Sequence, residues 1–175
     1  MQRFYLLFIL LIVMSCTSTK VYMDYDKNAD LSSYKTYNYF LVPQNGLNDL
    51  DNNRVIRILD SILPTKDLTQ KTIPDFNINF YAEMFTVENQ NNIGIGFGGG
   101  NRGFGGGVSS GIPINTSKDM IALTIEFVDG LSKELFWQTV VEARIKNQNT
   151  PDDRKALFKE IITKALSKYP PESDN

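Results

Sequence analysis

Histidine is absent from the 175 residues, and Cys16 is the only cysteine. The commonest general base and metal ligand is therefore missing. Ser-His-Asp and Cys-His nucleophiles, zinc-hydrolase sites and haem ligation by these side chains are excluded with it. Carboxylates, hydroxyls and lysines remain. Asp24, Asp26, Glu126 and Asp129 offer paired acids or a cation site. Glycoside hydrolysis needs two carboxyls across one cleft, and a calcium loop needs a longer run of oxygen ligands than Asp24-x-Asp26. These acids are expected at turns and on solvent-facing positions. Ser32, Ser33, Ser109 and Ser110 have lysines nearby, but no Ser-x-x-Lys stands at an expected helix start. No catalytic residue, metal ligand or cofactor is assigned.

The glycine-rich stretch 93–107, IGIGFGGGNRGFGGG, contains Gly94-Ile95-Gly96-Phe97-Gly98-Gly99, a literal G-x-G-x-x-G. A dinucleotide site also needs a helix opening directly behind the glycines, so that its N-terminus meets the pyrophosphate. More glycine follows instead, and the Gly-Lys-Ser/Thr of a phosphate loop is missing. Residues 93–117 are expected to form a flexible loop between two strands. Ile95, Phe97 and Phe104 on it are candidate contacts to a partner or a membrane surface.

Cys16 has a more specific reading. Arg3 precedes an apolar run, Phe4–Met14, that is shorter than the ~20 residues a spanning helix needs. The run ends in Val13-Met14-Ser15-Cys16, which resembles a bacterial lipobox: an apolar residue at −3, a small residue at −1, then the cysteine that is lipidated. An ordinary signal peptide or an uncleaved anchor is the alternative. On the lipobox reading, residues 1–15 are a signal peptide and 16–20 a lipidated leash. Cys16 carries a diacylglycerol thioether, with a further acyl chain such as palmitate on its amine. Cleavage removes Arg3 and no acid, so 17 basic face 20 acidic residues in the mature chain, a net charge of −3. That balance argues against a nucleic-acid partner.

The remaining residues suffice for one domain. Val21–Asp26 alternates as a half-buried strand, with Val21, Met23 and Tyr25 on one face, and Lys35–Val42 is a second strand. The two are expected to pair like a hairpin. Leu50, Val55, Ile58, Leu59 and Ile62 predict a helix over Asp49–Leu63, closed by Pro64. Thr65–Pro74 reads as polar connector. Asp75–Val87 returns to period two, with Phe76, Ile78, Phe80, Ala82 and Met84 on one face. Met120–Val128 is a more buried strand, and Asp129-Gly130 turns it into Glu134–Lys146, where Leu135, Trp137, Thr139, Val141, Ala143 and Ile145 share a face. Trp137, Tyr37, Tyr39 and Phe80 are expected in or against the core. Thr150-Pro151-Asp152-Asp153 opens a final helix, Pro151–Tyr169, stopped by Pro170-Pro171. The order ββαβββα predicts an α+β two-layer sandwich: a five-stranded, mainly antiparallel sheet with two helices on one face. The domain spans 21–171, and 172–175 is a polar tail.

Together these segments resemble a family of bacterial lipoproteins called domain of unknown function 4136. The resemblance rests on Tyr25-Asp26, Ala29-Asp30-Leu31, Tyr34-Lys35-Thr36-Tyr37, Pro74-Asp75-Phe76, the glycine loop, Ile125–Asp129, Leu135-Phe136-Trp137 and Tyr169-Pro170-Pro171. Met120-Ile121 and Gln138-Thr139 stand where the family often has Gly-Thr and Trp-(Arg)-Gly. The resemblance implies fold and compartment and no activity. Thr17 after the cysteine, without an acidic cluster, implies the periplasmic leaflet of the outer membrane. The expected function is a lipid-anchored binding or scaffold module, not an enzyme, whose partner is an envelope protein, a lipid or a glycan. The alternatives are a lipid-transport accessory with a hydrophobic groove and a hydrolase working without histidine or cysteine.

Overall fold

The computed structural model describes residues 19–40, 42–92, 113–146 and 150–171, and of 89–92 and 113–116 the backbone. Six strands form one sheet: β1 (Lys20–Tyr25), β2 (Thr36–Tyr39), β3 (Thr69–Gln70), β4 (Phe76–Asn92), β5 (Pro113–Asp129) and β6 (Leu135–Arg144), in the spatial order β1-β6-β5-β4-β2-β3. Helices α1 (Asp49–Ile62) and α2 (Pro151–Leu166) cover one face. The α+β sandwich is thus as expected, with one strand more. Strand β3 lies in the polar segment read as connector; with two exposed polar residues it has no alternation to detect.

The pairing of the first two strands is corrected. β1 lies antiparallel to β6 at one edge, while β2 runs parallel to both β4 and β3 near the other. The connection between them is held across the end of the sheet instead of turning tightly. Asp26 N donates to Phe136 O, and the Asp30 carboxylate caps a short 3-10 turn, Leu31–Ser33, by accepting from Ser32 N. Tyr34 then stacks on Phe136 with ring centroids 4.0 Å apart. The chain from β2 through α1 to β4 is therefore a parallel crossover, and a segment carrying a helix can make one where a hairpin cannot.

Local chemistry sets the helices. Asn48 caps α1 by accepting from Asp51 N at 2.9 Å, and Thr150 caps α2 by accepting from Asp153 N at 3.1 Å, each beside two first-turn acids. After α1, Pro64 sits in a 3-10 turn, and Asp67 takes the left-handed conformation with φ +60°, returning Leu68 N to Leu63 O. α2 ends at Leu166, shorter than expected, and Tyr169-Pro170 is a cis peptide.

The core fills the space between the layers. Phe76, Ile78 and Phe80, Ile121 to Phe127 at alternate positions, Trp137, Thr139 and Val141 meet Val55, Leu59, Phe158, Ile161 and Ile162. One face expectation fails at each end of the sheet. Met84 shares the core parity but is 56% exposed, because it lies beyond the helices. Leu135 is exposed and Phe136 buried, because a bulge between Phe127 and Val128 pairs Val128 with Leu135 and shifts the alternation.

Both long strands outrun the expected limits. β4 and β5 pair from Phe76↔Asp129 to Asn92↔Pro113, whereas β6 reaches only Arg144, opposite Met120. On the other side, Asn45 continues the sheet past β2: its Nδ2 donates to Phe80 O, and its carbonyl accepts from Ala82 N. Gly46 follows with φ +77°, and a Cβ there would lie 1.9 Å from Ala82 O, so only glycine fits. Beyond Phe85, which is level with Met120 and Arg144, β4 and β5 continue as a two-stranded arm.

Candidate functional site

A groove of about 920 Å³ opens at the end of the sheet where β1 finishes, between the β1–β2 connection, the turn after α1 and the chain following α2. Its floor is aromatic and fixed. Tyr34 stacks on Phe136, meets Phe76 edge-on, and donates its hydroxyl to Asp129 Oδ2 at 2.9 Å. Tyr169 stands edge-on to Phe127 and Trp137, with centroids 5.0 and 5.2 Å away. Lys66 Nζ donates to Tyr169 O at 2.6 Å and ties the turn after α1 to the end of α2. Asp26, Asp30, Lys27 and Lys35 bring both signs of charge to the lining.

Burial, then the hydrogen bond to Asp129 and the negative charge of Asp129, Asp26 and Asp30, push the Tyr34 hydroxyl up to about 12. Burial and then Tyr34 push Tyr169 up to about 12 as well. Both phenols stay protonated at neutral pH, so they are donors and apolar surfaces and not nucleophiles. Burial lowers the Lys66 ammonium.

Of the acids considered from sequence, Asp26 lines the groove and Asp129 holds Tyr34 at its floor, while Asp24 and Glu126 lie elsewhere. Asp129 Oδ1 accepts from Leu131 N and Ser132 N in the β5–β6 turn. Asp26 caps its own turn by accepting from Asn28 N, Asp24 accepts from Tyr25 N, and Glu126 accepts from Asn79 on the uncovered sheet face. Ser32 stands three residues before Lys35 in the groove, but its hydroxyl is given to Asp30 at 2.6 Å. Among the described residues no three candidate metal ligands come together. Cys16, Ile95, Phe97, Phe104, Ser109 and Ser110 lie outside the described residues.

Sequence reading missed two polar clusters that fasten α1 to its neighbours. Asp51 is buried and accepts from Arg54 at 2.6 Å and from Arg154 at 2.8 and 3.0 Å, which locks α1 to α2. Burial pushes its carboxyl up, but hydrogen bonds and charge from Arg154 and Arg54 outweigh that and hold it below its ordinary value. A signal was available: a cation in the first turn of α2 opposes the helix dipole and calls for an acidic partner. Asp60 accepts from both Tyr37 and Tyr39, at 2.9 and 2.6 Å, and fastens α1 to β2.

A family model described as a domain of unknown function (DUF4136) matches residues 21–171. The chain belongs to this family. No curated protein matches it in sequence. In fold, this DUF4136 chain is similar to a PDZ domain protein from Parabacteroides distasonis ATCC 8503, with a TM-score of 0.53 and 15% identity over 93% of this chain and 39% of that one. It thus spans well under half of that protein's length. PelC from Paraburkholderia phytofirmans, solved as a dodecamer, gives a TM-score of 0.48 and 8% identity over 85% of this chain and 96% of that one. Several segments that carry the DUF4136 resemblance meet in the groove: Tyr25-Asp26, Ala29-Asp30-Leu31, Tyr34-Lys35 and Tyr169-Pro170-Pro171 all line it.

Proposed function

We propose that this chain is a lipid-anchored envelope protein, held by acylated Cys16 in the periplasmic leaflet of the outer membrane, whose domain binds a partner through the groove. The placement of the groove carries this reading. It opens at the Tyr25 end of β1, the end farther from the anchor, so a tethered domain would present it away from the bilayer. Its floor is already rigid, so little conformational freedom is lost on binding. Charges of both signs around tyrosine and proline suit a segment of an envelope protein better than an acyl chain. The interlayer space, where a lipid-transport groove would lie, is filled by side chains such as Trp137, Phe80 and Phe158.

None of the acids whose pKa is shifted is poised as a general acid at neutral pH. Asp30, Asp51, Asp75, Asp129 and Glu160 are all shifted downward, each by hydrogen bonds or neighbouring cations that outweigh burial. A general acid at neutral pH needs the opposite shift. The test is a photo-crosslinking residue placed in cells at Leu31, which lines the groove, and separately at Tyr22, which is exposed on the uncovered sheet face. A discrete adduct from Leu31 and none from Tyr22 is expected. No adduct from Leu31, or the same adduct from both, would overturn groove-mediated binding.

A further inference from the structure

Strand β1 begins at the opposite end of the sheet from the groove, and the β4–β5 arm projects from that same end. Across the sheet Lys20 stands level with Glu142, Ala122 and Glu83. Thr19 is already fixed to the domain, because its hydroxyl donates to Glu160 on α2 at 2.9 Å. Only Thr17 and Ser18 separate it from Cys16, and three Cα steps of 3.8 Å reach at most ~11 Å. β4 continues from the level of Glu83 to Asn92, which at about 3.3 Å per residue is ~30 Å. An arm about three times the length of the leash cannot stand upright beside the anchor. Lying along the bilayer accommodates it.

The two faces of the arm differ. On the face away from the helices, Phe85 pairs with Met120 and Met120 with Arg144, while Val87 pairs with Lys118 in the next row outward. Phe85 and Val87 are 37% and 38% exposed. Glu83 and Glu142 lie one row nearer the body, and Glu142 is 4.0 Å from Lys20. On the other face Thr86 donates to Asp119, with Glu88 beyond, and the acidic first turns of α1 and α2 lie on that side. Only the first face combines apolar contact with cations for anionic headgroups.

We propose that the arm lies on the bilayer holding the anchor, with Phe85, Val87 and Met120 turned into the lipid interface and Lys118 and Arg144 over its headgroups. This rests on the lipid-anchor reading of Cys16. The domain would then be held at two places, anchor and arm, with its groove at the end of the sheet farther from both.

The test uses the full-length protein, in which acylation of Cys16 leaves no other thiol. A nitroxide is attached at Val87→Cys or, separately, at Leu131→Cys in the β5–β6 turn at the far end of the sheet. Each protein is placed on vesicles of phosphatidylethanolamine and phosphatidylglycerol. Relaxation by membrane-dissolved oxygen is compared with relaxation by a water-soluble nickel chelate, and intact mass is read on the same samples. The proposal expects acylated protein in which oxygen relaxes the Val87 label several-fold more than the Leu131 label, with the contrast reduced by Lys118→Glu. Acylated protein whose two labels are equally water-exposed would overturn the arm's placement and leave the anchor standing. Protein without acyl chains would overturn both.

Discussion

Replacing Asp51 with alanine is the sharpest perturbation of the contact between the two helices. Asp51 is 1% exposed, and its two arginines bring side chains only 23% and 18% exposed. The substitution leaves two guanidiniums facing a gap between the helices. Breaking a fully buried ion pair costs about 3–5 kcal/mol. Partial access of both arginines to water places this case near the lower figure, at about 3 kcal/mol. For a domain of this size that corresponds to a fall in Tm of roughly 10 °C. Urea denaturation of Asp51→Ala, Arg154→Ala and the double variant supplies the cycle. The double variant should lose less than the sum of the singles by about 1–2 kcal/mol, with m unchanged. A loss below about 1 kcal/mol for Asp51→Ala, or additivity within about 0.5 kcal/mol, would refute the view that this triad joins the helices.

Stability should also depend on pH in a defined sense. Asp51, Asp75 and Asp129 have folded pKa values below the ordinary 3.8, so their contribution is complete above that value and is lost as pH falls through the folded ones. With no histidine, Tm should be nearly flat from pH 8 to about pH 5 and fall steeply below about pH 4, which scanning calorimetry reads directly. Gly46→Ala should cost at least about 2 kcal/mol in urea unfolding, because the added methyl meets Ala82 O and the backbone is left-handed. Tyr34→Phe keeps the stack on Phe136 and removes the hydroxyl given to Asp129, so it should cost about 1 kcal/mol. If the groove binds as proposed, this variant should retain the Leu31 crosslink, whereas Tyr34→Ala should lose it.

Much of this architecture is legible in the residues. Period-two runs at Phe76–Ala82 and Ile121–Phe127 mark strands covered on one side, and Thr150-Pro151-Asp152-Asp153 marks a helix start to the residue. Strand neighbours are not local properties. Nothing within Val21–Asp26 says that it pairs with β6 and not with the next strand along. That choice is made by Tyr34 on Phe136 and by Asp26 N on Phe136 O, both remote in sequence. The bulge that buries Phe136 depends on the partner strand in the same way. The groove was hidden for a related reason: Tyr25, Leu31, Lys66 and Tyr169 are separated along the chain, and only the fold brings them together. In sequence Asp51 is one of two first-turn acids with nothing to set it apart, because its partner comes from a second helix. The absence of histidine and the placement of Cys16, by contrast, are complete statements in the sequence.

Whether a groove-bearing domain is tethered through Cys16 is decided by intact mass on membrane-extracted protein, with wild type beside Cys16→Ala. The expected wild-type chain is shortened by residues 1–15 and carries acyl chains, with neither change in the variant. A wild-type chain of full length without acyl groups would contradict that tether.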